Sequence, residues 1–474
     1  MTSFKLSKYL SRRVWEKLNE TAVPVVSDDD FHNLSVTIDI LNKNISTNQY
    51  FPDNTLGYLG LNKRLGVSRF LPILNHTDTA VYYHLCGKIG DRAIKDIDGV
   101  FGGWRFVPTP ATKFFNDSMT KDQKVDLIYD NEYFNETFSA ASWFQNYSSF
   151  TDCIANLTET SSYGNYVGIT DIANFYDSID VDRLITKVKR DAPDLKAHAD
   201  ILEIYLRHWN RRLAGYQRSN KGIPQEIISD GSRNLSHFYL HDFDGSIIDI
   251  CERNHVKYVR WADDILFFGA STQRIEACLY EASKLLLLDG LNLSAPKTEI
   301  MSRAEFRDYR CLPLLKAISE RNDGEFLRQI DLLRRRELRG GRVKVDTALR
   351  ATISHLRKHS RLRTRSSLRY VEDGIRNHPE VFSTLNERLL LASIVIFDDA
   401  QGKMNEVKSM VNRKSMAAPK AYFLKLIREH HSTLSRRGIG RADLQGMIAD
   451  IKRSSRESEI LCQYCIPAAE KALR

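Results

Sequence analysis

Cysteine is scarce in this chain: seven residues in 474, odd in number and scattered. A fold stapled by disulfides would need a denser and even set, so the count suits a reducing compartment. Cys462 and Cys465 form a lone Cys-x-x-Cys, with His430-His431 far upstream. With no second pair nearby, two positions on one buried helical face are a better reading than a zinc site. Long apolar runs are also missing. The longest, near Leu389–Phe397, is too short to span a bilayer, and the N-terminus has no apolar leader. The expectation is a soluble, cytoplasmic protein with no membrane partner. Without a secretory leader, the Asn-x-Ser/Thr triplets carry no weight. No clean internal repeat period is present.

What the chain has is length and an uneven charge. Its 474 residues leave room for two or three domains and a sizeable core. The net charge of +9 hides a split: residues 301–474 hold 36 Lys and Arg against 21 Asp and Glu, while the rest holds 33 against 39. The densest basic stretch runs from Arg334-Arg335-Arg336 to Arg369. A basic region beside an acidic body is what a polyanion binder needs. This region reads as helical, with apolar residues at three and four spacings in Phe326–Leu333, Val371–Ile375, Leu385–Ile396, Tyr422–Ile427 and Leu444–Ile451. Breaks are expected at Asn377-His378-Pro379 and Ser415–Lys420. Phe4–Leu18 suggests a basic amphipathic helix, and Asn42–Asn62 a polar loop. Arg350 and His355 fit a loose Arg-x-x-x-x-His pattern, which a region this basic produces by chance.

The most informative stretch is Tyr258-Val259-Arg260-Trp261-Ala262-Asp263-Asp264-Ile265-Leu266-Phe267-Phe268. Two carboxylates sit between two short runs that read as buried strands. Bare charges in such a setting lose their hydration at high cost, and a divalent metal would neutralise them. The acidic runs at Asp28-Asp29-Asp30 and Asp398-Asp399 lack this context and read as solvated. A third carboxylate, Asp171, ends another strand-like run, Tyr166–Asp171, ahead of Phe175-Tyr176-Asp177-Ser178-Ile179.

These residues carry a family resemblance. Asp171 with Phe175–Ile179 resembles motif A of reverse transcriptases, and Trp261-Ala262-Asp263-Asp264 resembles motif C. Between them, Gly222-Ile223-Pro224-Gln225 is similar to the opening of motif B. After them, Gly290–Ser294 and Pro296-Lys297-Thr298 are similar to motif D. The order of all four is more specific than any one of them. The resemblance implies an α+β fold: a right-hand polymerase palm and fingers, followed by an all-helical C-terminal domain. The boundaries it suggests are 1–100 for the N-terminal segment and fingers, 101–302 for the palm, and 303–474 for the basic helical domain.

The resemblance also implies roles. Asp171, Ile172, Asp263 and Asp264 would hold two Mg2+ ions, with Mn2+ as the alternative, in a two-metal nucleotidyl transfer. Asp171, Asp263, Asp264 and Lys297 form the catalytic set. Lys297 would neutralise or protonate the leaving pyrophosphate; a surface lysine is the plain alternative. Tyr176 matches a steric gate against the ribose 2′-hydroxyl, and core packing would account for it equally. Gln225 would lie near the incoming nucleotide. Lys63, Arg64 and Arg69, in a loose match to the fingers, would meet its triphosphate. Two departures stand out. Glu226 follows Pro-Gln where the family has glycine, and Trp261 replaces the common tyrosine.

No ribonuclease H, maturase thumb or endonuclease is visible beside this palm. Such an arrangement resembles the prokaryotic abortive-infection and defence-associated reverse transcriptases. The function expected is a metal-dependent DNA polymerase in antiphage defence, untemplated or protein-primed in some members of that group. Its partners would be deoxynucleoside triphosphates, an RNA template or DNA product, and further copies of itself in a homo-oligomer. A retron-like enzyme copying a dedicated noncoding RNA is one rival reading. A non-catalytic RNA-binding scaffold is the other. The scaffold is disfavoured because it has no use for a costly carboxylate cluster.

Overall fold

The computed structural model describes residues 34–53, 55–64, 67–103, 140–160, 163–209, 221–224, 231–382, 385–413 and 416–474. The helix expected at Phe4–Leu18 lies outside them. The chain forms two compact units. The first takes the residues up to Thr55, apart from a short segment, together with Leu74–Arg303; the second takes Leu56–Ile73 and Ala304–Arg474.

In chain order the elements begin with α1 (Leu34–Ser46), the hairpin β1 (Gly57–Arg64) and β2 (Val67–Ile73), and α2 (His76–Ala93). Then come β3 (Val100–Phe101), α3 (Ala140–Glu159), β4 (Tyr166–Asp171), α4 (Phe175–Ser178), α5 (Val181–Asp191) and α6 (Lys196–Trp209). The first unit closes with α7 (Gly231–Tyr239), α8 (His241–Arg253), β5 (Lys257–Trp261), β6 (Asp264–Gly269), α9 (Thr272–Leu288) and β7 (Glu299–Ser302).

Its sheet has the order β3-β5-β6-β4-β7. β4, β5, β6 and β7 pair antiparallel, and β3 runs parallel to β5. Val167, Val259, Ile265, Leu266 and Phe267 are fully buried, which is why these runs carry β-branched and aromatic residues on both faces. Helix α9 packs against β4 and β6. It comes so close that a Cβ on Gly168 would meet Ile275 Cγ2 at 2.5 Å, so glycine is required there.

The second unit is helical apart from the β1–β2 hairpin, whose strand β1 packs against a C-terminal helix. Its helices are α10 (Arg303–Tyr309), α11 (Leu312–Ser319), α12 (Asp323–Leu338), α13 (Val345–Lys358), α14 (Arg365–Asn377), α15 (Pro379–Phe382) and α16 (Glu387–Val395). After these follow α17 (Ala400–Val411), α18 (Ala417–Ser435), α19 (Arg441–Ser454), a π turn (Leu461–Cys465) and α20 (Ile466–Ala472). Neighbours in sequence pack on one another, α11 on α12, α13 on α14, and α18 on α17 and α19. In this unit every helix expected from periodicity is present.

Two expectations need correcting. The loop expected over Asn42–Asn62 is regular at both ends, with α1 reaching Ser46 and β1 starting at Gly57. Leu41 and Ile45 are buried on one face of α1, while Asp39, Ile40 and Lys43 are exposed. The break expected at Ser415–Lys420 already contains the start of α18. Pro419 falls in its first turn, where a missing N–H costs nothing. Among the described residues no helix is long and apolar enough to cross a membrane.

Candidate active site

The site is built at one end of two neighbouring antiparallel strands. β4 ends at Asp171 and β6 begins at Asp264, and the register sets these two residues opposite each other. Asp263 sits in the two-residue turn Ala262-Asp263 that joins β5 to β6, because Trp261 pairs with Asp264. Ala262 holds a left-handed φ of +51°, a conformation in which glycine is the ordinary residue. The turn is docked from two sides. Ile172 N–H donates to the Asp263 carbonyl at 3.2 Å, and Ala262 N–H donates to the Phe101 carbonyl at 3.4 Å.

Asp263 is pushed up to about 7, first by burial and then by the carboxylates of Asp171 and Asp264. This is the signature of like charges held together in low dielectric. One cation is supplied by the protein. Lys297 forms an ion pair with Asp171, its ammonium on Oδ2. The short turn that carries Lys297 is anchored to β4, since Ser294 N–H donates to the Asp171 carbonyl at 2.7 Å. The Thr170 and Thr298 hydroxyls also meet, at 2.7 Å.

An arginine that sequence reasoning passed over completes the support. Arg260 is wholly buried. Its Nε and Nη2 meet the two oxygens of the equally buried Asp244 at 2.8 and 2.5 Å. Its Nη1 donates to the Ala262 carbonyl at 2.8 Å, gripping the turn that presents Asp263. Tyr258 hydroxyl donates to the same Asp244 at 2.8 Å. The signal was present: a lone charged residue inside a buried strand demands a counter-charge. Asp244 on the apolar face of α8, beside Phe243 and Ile247, is that partner. Trp261, where tyrosine is usual, is packed by Tyr147 and Phe150 of α3 at ring distances of 5.1 and 5.6 Å.

The structure therefore brings together Asp171, Ile172, Asp263, Asp264 and Lys297. Tyr176 lies on α4 just past Asn174, another residue with left-handed φ. Its carbonyl accepts from Ile223 N–H at 2.9 Å, and Gly222 N–H donates to Ile179 at 2.7 Å. Gly222–Pro224 is thereby tied to the start of α4. Gln225 and Glu226 lie outside the described residues. Lys63 and Arg64 end β1 and Arg69 lies on β2. That hairpin belongs to the second unit, not to the unit holding the carboxylates.

The candidate donors are the carboxylate oxygens of Asp171, Asp263 and Asp264 and the backbone carbonyl of Ile172, an all-oxygen set that suits a hard divalent cation such as Mg2+ or Mn2+. Among the described residues no three His, Cys, Asp or Glu side chains are close enough to hold an ion as they stand.

Residues 95–328, just under half of the chain, match the family model described as reverse transcriptase (RNA-dependent DNA polymerase). A curated relative, the retron Ec83 reverse transcriptase of Escherichia coli, is 27% identical over 117 residues. That stretch is 23% of this chain and 36% of the relative, so the match spans about a third of the relative's length. Two solved structures of telomerase from Candida tropicalis also align. One, with a TWJ fragment of telomeric RNA, is 10% identical over 85% of this chain and 70% of its own, at a TM-score of 0.31. The other, apo, is 9% identical over 97% and 86%, at 0.30. Scores this low carry no detail of the fold. The family matched by residues 95–328 is one of nucleotidyltransferase enzymes, and the chain has the α+β polymerase fold of reverse-transcriptase type with a helical C-terminal region.

Proposed function

We propose that this protein is a metal-dependent DNA polymerase of reverse-transcriptase type. The observation that carries the reading is the carboxylate end of β4 and β6: Asp171 opposite Asp264, with Asp263 between them pushed up to about 7. Asp171, Ile172, Asp263 and Asp264 would hold the divalent ions. When bound, such ions lower the pKa of an attacking hydroxyl and neutralise a leaving pyrophosphate. Lys297, whose ammonium pairs with Asp171, would hand a proton to the leaving pyrophosphate. Tyr176 is the candidate gate against a 2′-hydroxyl. Arg260 keeps the Asp263 turn in place from behind.

The test is incorporation of each labelled deoxynucleotide by the purified protein with Mg2+ or Mn2+. It is run with and without added RNA, beside an Asp263→Ala/Asp264→Ala control. Incorporation lost in the control supports the reading, and incorporation equal to the control overturns it. A second reading, a retron-like enzyme copying a dedicated noncoding RNA, is favoured by the similarity to the retron Ec83 reverse transcriptase. RNA copurifying at fixed stoichiometry and required for activity would select it. The antiphage role and self-assembly into a homo-oligomer belong to this proposal and rest on the sequence resemblance alone.

A further inference from the structure

A cavity lies within the helical unit. Helices α11 and α12 pack together, and with the end of α10 they enclose a space of about 420 Å³. Cys311, Leu314, Leu332 and Leu333 give it an apolar floor, and Arg335, Arg336 and Arg339 line it toward the C-terminal end of α12. Arg336 is held in place, its Nη1 2.6 Å from Asp308 Oδ2. Arg335 and Arg339 are exposed, and neither forms an ion pair with a described residue. Two like charges one turn apart repel, so their presence beside a hole points to an anion.

The wall also depends on glycine. After α12 the chain reverses at Gly340, with φ +74°, and Gly341 comes back against Arg336. A Cβ on Gly341 would lie 2.5 Å from Arg336 Cγ and 3.0 Å from its carbonyl. The next residue, Arg342, lies over the Tyr309 ring at 5.8 Å and adds a further guanidinium on this loop.

We propose that this cavity binds a nucleoside phosphate, its base on Leu314, Leu332 and Leu333 and its phosphate on Arg335 and Arg339. Guanidinium groups pair with phosphate oxygens through two parallel hydrogen bonds. The volume lies at the small end of the range for ligand pockets, suited to one nucleotide rather than a run of them. Gln329 in the wall donates Nε2 to Glu325 at 2.7 Å, which leaves its amide oxygen to accept from a base amino group. The choice of a nucleoside phosphate over other apolar anions rests on the polymerase reading. The nucleotide could be free or part of a bound strand.

Both sources are separated by fluorescence anisotropy with labelled dAMP and with a labelled oligodeoxyadenylate. The full-length Asp263→Ala/Asp264→Ala protein is used, in EDTA, so that metal-dependent binding at the palm is silent. Saturable binding is expected, weakened about tenfold or more in Arg335→Glu/Arg339→Glu. It should be unchanged in Arg436→Glu/Arg437→Glu, an equal change of charge on exposed arginines elsewhere. Binding of dAMP assigns the pocket to a free nucleotide; binding of the oligonucleotide alone assigns it to a strand. Photolabelling with 8-azido-dAMP, or an oligonucleotide carrying it, should mark peptides within 308–341 even where a variant fails to fold. Absence of saturable binding, or equal weakening by both double variants, overturns the proposal. Wild-type protein that incorporates deoxynucleotides without this binding sinks the pocket alone. Arginine-dependent binding in a protein that incorporates nothing sinks the polymerase reading alone.

Discussion

At the scale of single residues, the site depends on groups that differ in kind. On the proposed reading Asp263 is a metal donor, and Asp263→Asn should then lower incorporation by about three orders of magnitude or more, the scale of several kcal/mol of transition-state stabilisation. Steady-state rates at saturating metal measure this. Lys297 pairs with Asp171, and on the proposed reading it both contests that carboxylate with the metal and serves the leaving group. Lys297→Gln should therefore cut turnover by about a hundredfold, while Mn2+ binding, followed by its paramagnetic resonance signal, becomes tighter. Unchanged Mn2+ affinity would show that the ammonium does not contest Asp171. Arg260 touches no reacting atom and acts through position. Arg260→Met strands the buried Asp244 and should cost about 3–5 kcal/mol in a denaturation curve. Arg260→Met/Asp244→Leu should recover most of that stability, yet stay slow, because nothing then holds the Ala262 carbonyl. Full recovery of rate in the double variant would reduce Arg260 to a packing role.

At the scale of elements, the sequence was most legible where one pattern admits one structure. Two runs of buried residues flanking Asp263-Asp264 could only be a hairpin, and a carboxylate ending a third run could only meet it at a strand end. Five helices of the second unit, α12, α14, α16, α18 and α19, were readable from periodicity for the same reason, while the others were not marked by it. What stayed hidden depends on contacts distant in sequence. The grip of Arg260 on Ala262 needs Asp244 from another element, and the assignment of the β1–β2 hairpin to the helical unit needs its packing against α18. No local pattern encodes either. The fit of α9 on the sheet is another such contact. Gly168→Ala drives a methyl toward Ile275 and should destabilise by about 1–3 kcal/mol through overpacking. The companion change Ile275→Val, which trims that side chain, should return part of the loss, as urea midpoints of the single and double variants would show.

At the scale of the whole chain, the two units differ in charge and in what reports on them. Trp261, at the end of β5, reports on the first unit, and no tryptophan stands in the sequence of Leu56–Ile73 or Ala304–Arg474. Indole fluorescence thus follows the unit that carries the carboxylates, while far-UV circular dichroism follows both. That unit holds two histidines far below their ordinary value. Burial takes His84 down to about 3, with His198 and Lys88 adding to the effect. Burial likewise takes His241 to about 4, aided by Arg260 and Lys95 and opposed by Asp244 and Asp242. Since the folded pKa values are depressed, the unfolded chain binds more protons below pH 6.5. Stability from these groups is complete above that pH and is lost as pH falls toward 4 and 3, by about 1.4 kcal/mol per pH unit for each histidine. Asp263 and Asp78, pushed up to about 7 and about 6, gain stability as pH falls over the same range. The histidine contribution is therefore read as a difference: the urea midpoint of the parent minus that of His84→Gln, followed by indole fluorescence at pH 7.5, 6 and 5, should fall as pH falls. His84→Gln, which cannot titrate, should be spared about 2 kcal/mol of the change between pH 6.5 and 5 relative to the parent. An unchanged slope in that variant would mean that His84 keeps an ordinary pKa in the folded chain, and that the acid sensitivity of this unit arises from other groups.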